Sequence, residues 1–127
     1  GLFFVTNAAV PMLRDYGRII NISSNAAKLR LPGLSIYASS KAAVDSLTRC
    51  WSVELAPRQI TVSSLNSGMV ETDMIAGMDP AFKAQRAASI PMGRIGRVED
   101  IADVVAFLAS DQSRWVTGQE ISVTGGN

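Results

Sequence analysis

Histidine is absent from this sequence of 127 residues, and cysteine occurs only once. Without histidine the chain can form neither a Ser-His-Asp triad nor a histidine zinc site, so proton transfer would have to use Tyr, Lys, Asp or Glu. The single cysteine, Cys50, allows no internal disulfide, which favours a reducing compartment and a cytoplasmic location. Because Cys50 lies among apolar helix residues, we expect a buried, unreactive thiol. No metal site is predicted.

The chain also lacks a strong net charge and long apolar runs. Twelve basic residues are balanced by eleven acidic ones, so there is no electrostatic reason to expect nucleic acid or a membrane surface as a partner. The closest basic cluster, Arg94 and Arg97, is interpreted as solvated loop charge. No run approaches the roughly 18 apolar residues that a membrane span needs, and no signal peptide is recognisable. The hydrophobic fraction of 47% is typical of a packed domain.

Helix-like and strand-like segments alternate along the chain. Residues 2–14 are apolar nearly all round and predict a buried helix, kinked by Pro11. The β-branched run 18–23 predicts a strand buried on both faces. The other predicted elements are a helix over 36–56, a strand over 60–65 with a turn at 66–68, helical pieces within 72–89, a helix over 99–110 and a strand over 120–124.

This alternation predicts one α/β unit with a doubly wound parallel sheet of three strands, joined by right-handed crossovers. The strand at 18–23 would then lack a neighbour on one side, and exposed strand edges are usually avoided. The chain also opens at Gly1 within a helix-like segment. Both features lead us to expect part of a longer domain.

Polar residues gather where the first strand ends and the long helix begins. In an open parallel sheet, ligands bind beyond the carboxyl ends of the strands. Ser24 directly follows the first strand, and the long helix starts at the same rim with Tyr37 and, four residues later, Lys41. Residues at i and i+4 share a helix face, and an ammonium group near a phenol favours the phenolate, which suits acid/base work. The same spacing also occurs by chance in many helices, so a helix without catalytic function is the alternative.

Five motifs follow one another along the chain. They are Asn21-Ile22-Ser23-Ser24, Tyr37 with Lys41, the NSGMVETDM segment at 66–74, the RIGRVED segment at 94–100, and the closing VTGQ and GG at 116–119 and 125–126. In their order and spacing these motifs resemble the short-chain dehydrogenase/reductase family from end to end. The pattern is that of the C-terminal, catalytic half, and it is closest to 3-oxoacyl-carrier-protein reductases, ahead of sugar-alcohol dehydrogenases.

The resemblance implies a partial Rossmann-like sheet, namely the last three strands with their flanking helices, in a single partial domain over 1–127 without the N-terminal dinucleotide-binding part. It implies an oxidoreductase that moves a hydride between NAD or NADP and a carbonyl or alcohol. Tyr37 would be the general acid/base and would also belong to the cofactor site. Lys41 would assist it and bind the nicotinamide ribose, and Ser24 would polarise the substrate oxygen. The nicotinamide would supply the hydride chemistry.

For the cofactor site, the resemblance adds three residues in the loop after the second predicted strand. Val70 and Thr72 would meet the carboxamide and phosphate side of the cofactor, and Gly68 would let the backbone approach closely. Ser67 stands where the family usually has proline, which would leave this loop less preorganised. The segment 72–89 would be a substrate lid.

The expected partner is a small carbonyl or alcohol substrate. The helices 2–14 and 36–56 correspond to those through which family members form homodimers or homotetramers. Alternatives from other classes are a non-catalytic oligomerising module or inactive fragment, and a carbonyl-binding protein without turnover. We predict that the 127-residue chain alone folds poorly and binds no nicotinamide cofactor tightly.

Overall fold

Three parallel strands form one sheet in the computed structural model, which describes residues 1–127. The strands are β1 (Arg18–Ser24), β2 (Thr61–Ser67) and β3 (Glu120–Val123), in the order β1-β2-β3. Both pairs are parallel, and Ser24 lies opposite Ser67 in the register of β1 and β2. The predicted α/β sheet is therefore confirmed, and β1 is one of its two edges.

Five α-helices surround the sheet, and most of them match the predicted segments within one or two residues. The helix predicted over 36–56 ends earlier, because Pro57 cannot donate a backbone hydrogen bond and a short 3-10 turn over Ala56–Arg58 takes over. The helices are α1 (Leu2–Ala9), α2 (Ser35–Glu54), α3 (Asp73–Ala76), α4 (Pro80–Ser89) and α5 (Val98–Ala109). None of them is long and apolar enough to cross a membrane.

The sheet face under α2 changes from apolar to polar along the strands. At the amino end, Ile19 and Val62 pack with Trp51 of α2 in the main apolar cluster. Two residues further along each strand, where the pleat returns to the same face, the side chains are polar. Here Asn21 donates a hydrogen bond to Thr48 of α2 at 2.8 Å. The half of this face that lies toward the carboxyl ends of the strands is therefore made of buried polar groups, which bond to other residues of the protein.

The prediction that β1 is buried on both faces is wrong. Asn21 and Ser23 are the buried residues of its outer half, whereas Ile22 is 51% exposed. The reason is a hydrogen bond between the strand and α2, in which Ser23 donates to the backbone carbonyl of Lys41 at 3.2 Å. Because polar side chains on this face find hydrogen-bond partners, they can be buried there, and Ile22 points to the other face.

Burial was also predicted wrongly for the first helix. The α-helix ends at Ala9, and a 3-10 turn over Val10–Met12 follows because Pro11 interrupts the hydrogen-bond ladder. Thr6 is its only buried residue, and Phe4 is 74% exposed. Only one face of this helix packs against the small core, so the apolar residues on its other faces are exposed.

Cys50 is exposed, which corrects the expected buried thiol. The buried stripe of α2 consists of Asp45, Thr48, Trp51 and Ser52, with the spacing of three to four residues that one helix face requires. Cys50 lies beside that stripe, on the solvent side. The apolar sequence around it did not show which face α2 turns to the sheet.

Candidate active site

A cleft of about 650 Å³ opens at the carboxyl rim of the sheet and is lined by 18 residues. It contains all six residues that the sequence singled out for catalysis and cofactor binding, from β1, α2 and the segment after β2. The rim position follows from the topology, because parallel strands all end on the same side. The six are Ser24, Tyr37, Lys41, Gly68, Val70 and Thr72.

Tyr37 and Lys41 lie together in the first turns of α2. The Lys41 ammonium is 5.8 Å from the centroid of the Tyr37 ring, within the range of a cation–π contact. Its Nζ also donates to the backbone carbonyl of Ile22 at 2.9 Å. This bond ties the lysine to the end of β1 and holds it beside the tyrosine. Tyr37 is 45% exposed and lines the cleft.

Ser24 is the last residue of β1, and its side chain caps the short 3-10 turn that follows. Its Oγ accepts a hydrogen bond from the backbone N–H of Ala26 at 3.2 Å. The hydroxyl hydrogen remains free to donate toward the cleft, because a serine hydroxyl both accepts and donates. Ser24 and Tyr37 are thus two O–H donors in one cleft.

The segment after β2 is held in place by backbone bonds to Gly96. The Gly96 N–H donates to Met69 at 3.0 Å, and its carbonyl accepts from Glu71 at 2.9 Å. These bonds set Val70 between them, in a parallel bridge with Gly96. Thr72 then precedes α3, and its hydroxyl is 3.4 Å from the Val70 carbonyl.

Arg94 is an exposed loop residue, as predicted, and it also forms an ion pair beside this segment. Its guanidinium binds both carboxylate oxygens of Asp100, at 2.5 and 2.9 Å. This hydrogen bond and the backbone N–H of Arg97 hold the pKa of Asp100 well below its usual range, and the Arg94 pKa is raised in return. The pair pins the loop around Gly96 to the first turn of α5.

Gly68 has a structural reason to be glycine that does not involve a ligand. A Cβ at this position would lie 3.0 Å from the Cα of Thr124, which is too close for an ordinary contact. The Gly68 N–H also donates to the Val123 carbonyl at 3.0 Å. The close approach predicted for Gly68 is therefore made first of all to the end of β3. Ser67 is still part of β2, so the predicted turn over 66–68 begins later than expected.

Asn66, near the end of β2, is held by a hydrogen bond to a buried carboxylate on α2. Its Nδ2 donates to Oδ2 of Asp45 at 3.1 Å, and its Oδ1 is 3.4 Å from the Ser64 hydroxyl. Asn66 is completely buried and Asp45 is 4% exposed. Because Asn66 stands just before the segment that lines the cleft, this bond fixes where that segment starts. No sequence motif indicated Asp45.

Replacing Asp45 with Ala is expected to lower the free energy of unfolding by about 1–3 kcal/mol, since the buried Asn66 amide would lose its acceptor. Asp45→Asn keeps an acceptor oxygen of the same shape and should lose less. Urea unfolding of the complete gene product measures both variants. Equal losses for Ala and Asn would contradict the assigned hydrogen bond.

The outer wall of the cleft comes from α3, α4 and the turn between them. Met74, Ile75, Met78 and Phe82, all within the predicted lid segment, line it, while Ile90 is buried in a separate cluster with Ile75 and Ile95. Arg86 also lines this wall, although no sequence pattern pointed to it. The sequence signal that could have found Arg86 is its spacing of four residues from Phe82, which puts both side chains on one face of a helix.

A family model for enoyl-(acyl carrier protein) reductases matches residues 1–127. The chain belongs to the short-chain dehydrogenase/reductase family. The family resemblance inferred from the five motifs is thereby confirmed, as is its similarity to 3-oxoacyl-carrier-protein reductases.

Relatives within the short-chain dehydrogenase/reductase family match nearly the whole chain. The 3-oxoacyl-[acyl-carrier-protein] reductase of Thermotoga maritima is 41% identical over 99% of this chain and 52% of that protein. The crystal structure of the 3-oxoacyl-[acyl-carrier protein] reductase from Brucella melitensis superposes with a TM-score of 0.91 at 35% identity, covering 98% of this chain and 47% of that one. The crystal structure of a blue fluorescent protein from a metagenomic library, in complex with NADPH, superposes with a TM-score of 0.89 at 37% identity. The match covers 98% of this chain and 50% of that one. The chain thus spans about half the length of the relatives it matches.

Proposed function

We propose that this chain carries the proton-transfer site of an oxidoreductase that moves a hydride between NAD or NADP and a carbonyl or alcohol carbon. The observation that carries the proposal is the shared cleft of Ser24, Tyr37 and Lys41 at the carboxyl rim of the sheet. Membership of the short-chain dehydrogenase/reductase family and the NADPH complex of a relative support it.

The donor set of the cleft fits the nicotinamide end of such a cofactor. The Lys41 ammonium can bind ribose hydroxyls, and the Thr72 hydroxyl and the backbone around Val70 can bind a carboxamide or phosphate oxygen. All three lie on the cleft, which has no carboxylate among its lining residues. When bound, the nicotinamide would supply or accept the hydride. Gly68 lies at the start of this loop, but its close packing against Thr124 is already enough to explain why this residue is glycine.

The protein's own contribution is to place and protonate the carbonyl oxygen. In the direction of reduction, the Tyr37 hydroxyl donates its proton to that oxygen as negative charge develops there. Lys41, held near the ring by the Ile22 carbonyl, stabilises the phenolate that results. The Ser24 hydroxyl donates a hydrogen bond to the same oxygen and fixes its position against the tyrosine. Oxidation of an alcohol uses the same groups in reverse.

The proposal extends to the organisation of the protein. The free edge of β1 and the half-length match support a single partial domain over 1–127 whose dinucleotide-binding part lies elsewhere. The outward apolar residues Phe4 of α1 and Val53 of α2, 74% and 75% exposed, support association of copies through these helices as a homodimer or homotetramer. A small carbonyl or alcohol is the proposed substrate, and the lone cysteine is the support for a cytoplasmic location.

The decisive experiment follows NADH or NADPH oxidation by the complete gene product with a panel of ketones and β-keto thioesters. Turnover that saturates with both cofactor and ketone is expected. The 127-residue chain alone, titrated with NADH and NADPH by dihydronicotinamide fluorescence, is expected to bind neither tightly. If the complete protein binds cofactor but turns over no carbonyl, the proposal fails in favour of carbonyl binding without turnover; if it binds no cofactor, a non-catalytic module is the better description.

A further inference from the structure

The cleft contains two cationic side chains and no carboxylate. Lys41 and Arg86 are the only charged residues among its 18 lining residues, ten of which are hydrophobic. Lys41 is accounted for by its bond to the Ile22 carbonyl and its place beside Tyr37. Arg86 lies on another element, α4, and has no part in the proton-transfer site. The charge balance of the cleft therefore favours an anionic ligand at Arg86.

The Arg86 side chain has no protein partner, unlike those of its neighbours Lys83 and Arg94. Lys83, on the same helix, lies 3.6 Å from Glu71, and Arg94 is paired with Asp100. Arg86 forms no ion pair within 4.0 Å, and its side chain makes no hydrogen bond to the protein, although the residue is only partly exposed. A cation without a protein partner, on the wall of a cleft whose lining is mostly apolar and holds no carboxylate, favours an anionic ligand there.

The apolar residues before Arg86 show what else such a ligand would contain. Phe82 and Arg86, at i and i+4 of α4, share one helix face, and Met78 lies four residues before Phe82 at the turn that precedes the helix. All three line the cleft that holds Tyr37. The wall therefore runs from apolar side chains to a single guanidinium. A matching ligand has an apolar body and an anionic group apart from its reacting carbonyl.

We propose that Arg86 is a specificity-determining residue that selects carbonyl substrates with an apolar body and a distal carboxylate or phosphate. A guanidinium suits this role because it presents paired N–H donors to two oxygens at once. The inference rests on the proposed function and adds the substrate class. It predicts that a neutral analogue of the same shape is a poorer substrate.

The test compares three aliphatic methyl ketones of equal chain length with the complete gene product: one ending in a carboxylate, one in a phosphate and one in a methyl ester. At least one anionic ketone should exceed the ester in kcat/KM by about 10- to 100-fold, the range of a charge-assisted hydrogen bond. R86Q should remove this preference by lowering kcat/KM for the anionic ketone alone, and R86K should keep part of it. K83Q is the matched control, because Lys83 already pairs with Glu71, and it should leave the ratio unchanged.

Each other outcome gives a different answer. Turnover of the ester at the same efficiency as both anions overturns the Arg86 inference and leaves the proposed function standing. A rise in the cofactor KM of R86Q that is equal for all three ketones assigns Arg86 to a cofactor phosphate and also overturns it. If neither these ketones nor the wider panel of ketones and β-keto thioesters is turned over, the proposed function fails, and the substrate class assigned to Arg86 fails with it. If only these three ketones are not turned over, calorimetric binding decides the inference: weaker carboxylate binding in R86Q supports it, and unchanged binding overturns it.

Discussion

Tyr37→Phe is expected to lower kcat/KM for carbonyl reduction by about 10²- to 10⁴-fold, the range of a positioned general acid. The substitution removes only the phenolic hydroxyl of a residue that lines the cleft. Because Tyr37 is 45% exposed and its ring can remain beside Lys41, the fold should be unaffected. Steady-state kinetics of the complete gene product with a ketone and NADPH or NADH measures the loss. It should appear mainly in kcat, since the hydroxyl acts on charge that develops in the transition state.

The second tyrosine supplies the matched control. Tyr16 is 73% exposed and lies in a separate depression of about 550 Å³ with Arg18 and Trp115, near the start of β1 and away from the carboxyl rim. Tyr16→Phe should therefore leave kcat/KM unchanged. Retention of near-normal activity in Tyr37→Phe would remove Tyr37 from the proposed mechanism. An equal loss in Tyr16→Phe would mean that the assay reports folding instead of proton transfer.

Trp51→Ala is expected to lower the free energy of unfolding by about 3–5 kcal/mol, the usual cost of truncating a buried aromatic residue to alanine. Trp51 is 3% exposed and belongs to the cluster with Leu55, Ile60 and Val62. Its ring also stacks on Phe3 of α1, with centroids 6.3 Å apart and planes 19° apart. The substitution would remove contacts with α1 and the sheet at once. Its position in this core makes Trp51 a packing residue within one chain.

Trp115 provides the control for that substitution, because it is 92% exposed and the chain has only these two tryptophans. Trp115→Ala should change the free energy of unfolding by no more than about 0.5 kcal/mol. Urea titrations followed by far-ultraviolet circular dichroism avoid dependence on tryptophan fluorescence. A loss at Trp115 as large as that at Trp51 would show that the exposed ring is covered in the assembled protein.

Local chemistry explains why most elements were predictable. Acidic residues are favoured in the first turn of a helix, as Glu99 and Asp100 are in α5. Proline ends a helix, as Pro57 does just after α2. Glycine, proline and the period of apolar residues act over a few positions, so the sequence alone shows them. The alternation of strands and helices then leaves parallel pairing as the main solution.

Burial was harder to predict, because it depends on which face of each element meets a partner. Cys50 and the α1 residues Phe4 and Val5 are exposed, whereas Asp45 and Asn21 are buried. Hydropathy predicts the opposite in each case. Polar side chains can be buried where hydrogen bonds across the layer satisfy them, and the partners Asn66 and Thr48 are 21 and 27 residues away in the chain.

The sequence by itself determined the family, the parallel α/β order and the presence of Ser24, Tyr37 and Lys41, because motif order and spacing are linear properties. Only the tertiary structure decided which other groups join them. It set the Ile22 carbonyl against Lys41 and left Arg86 without a protein partner on the cleft wall. Such placements depend on contacts between residues distant in the chain, and these contacts exist only once the strands and helices have packed.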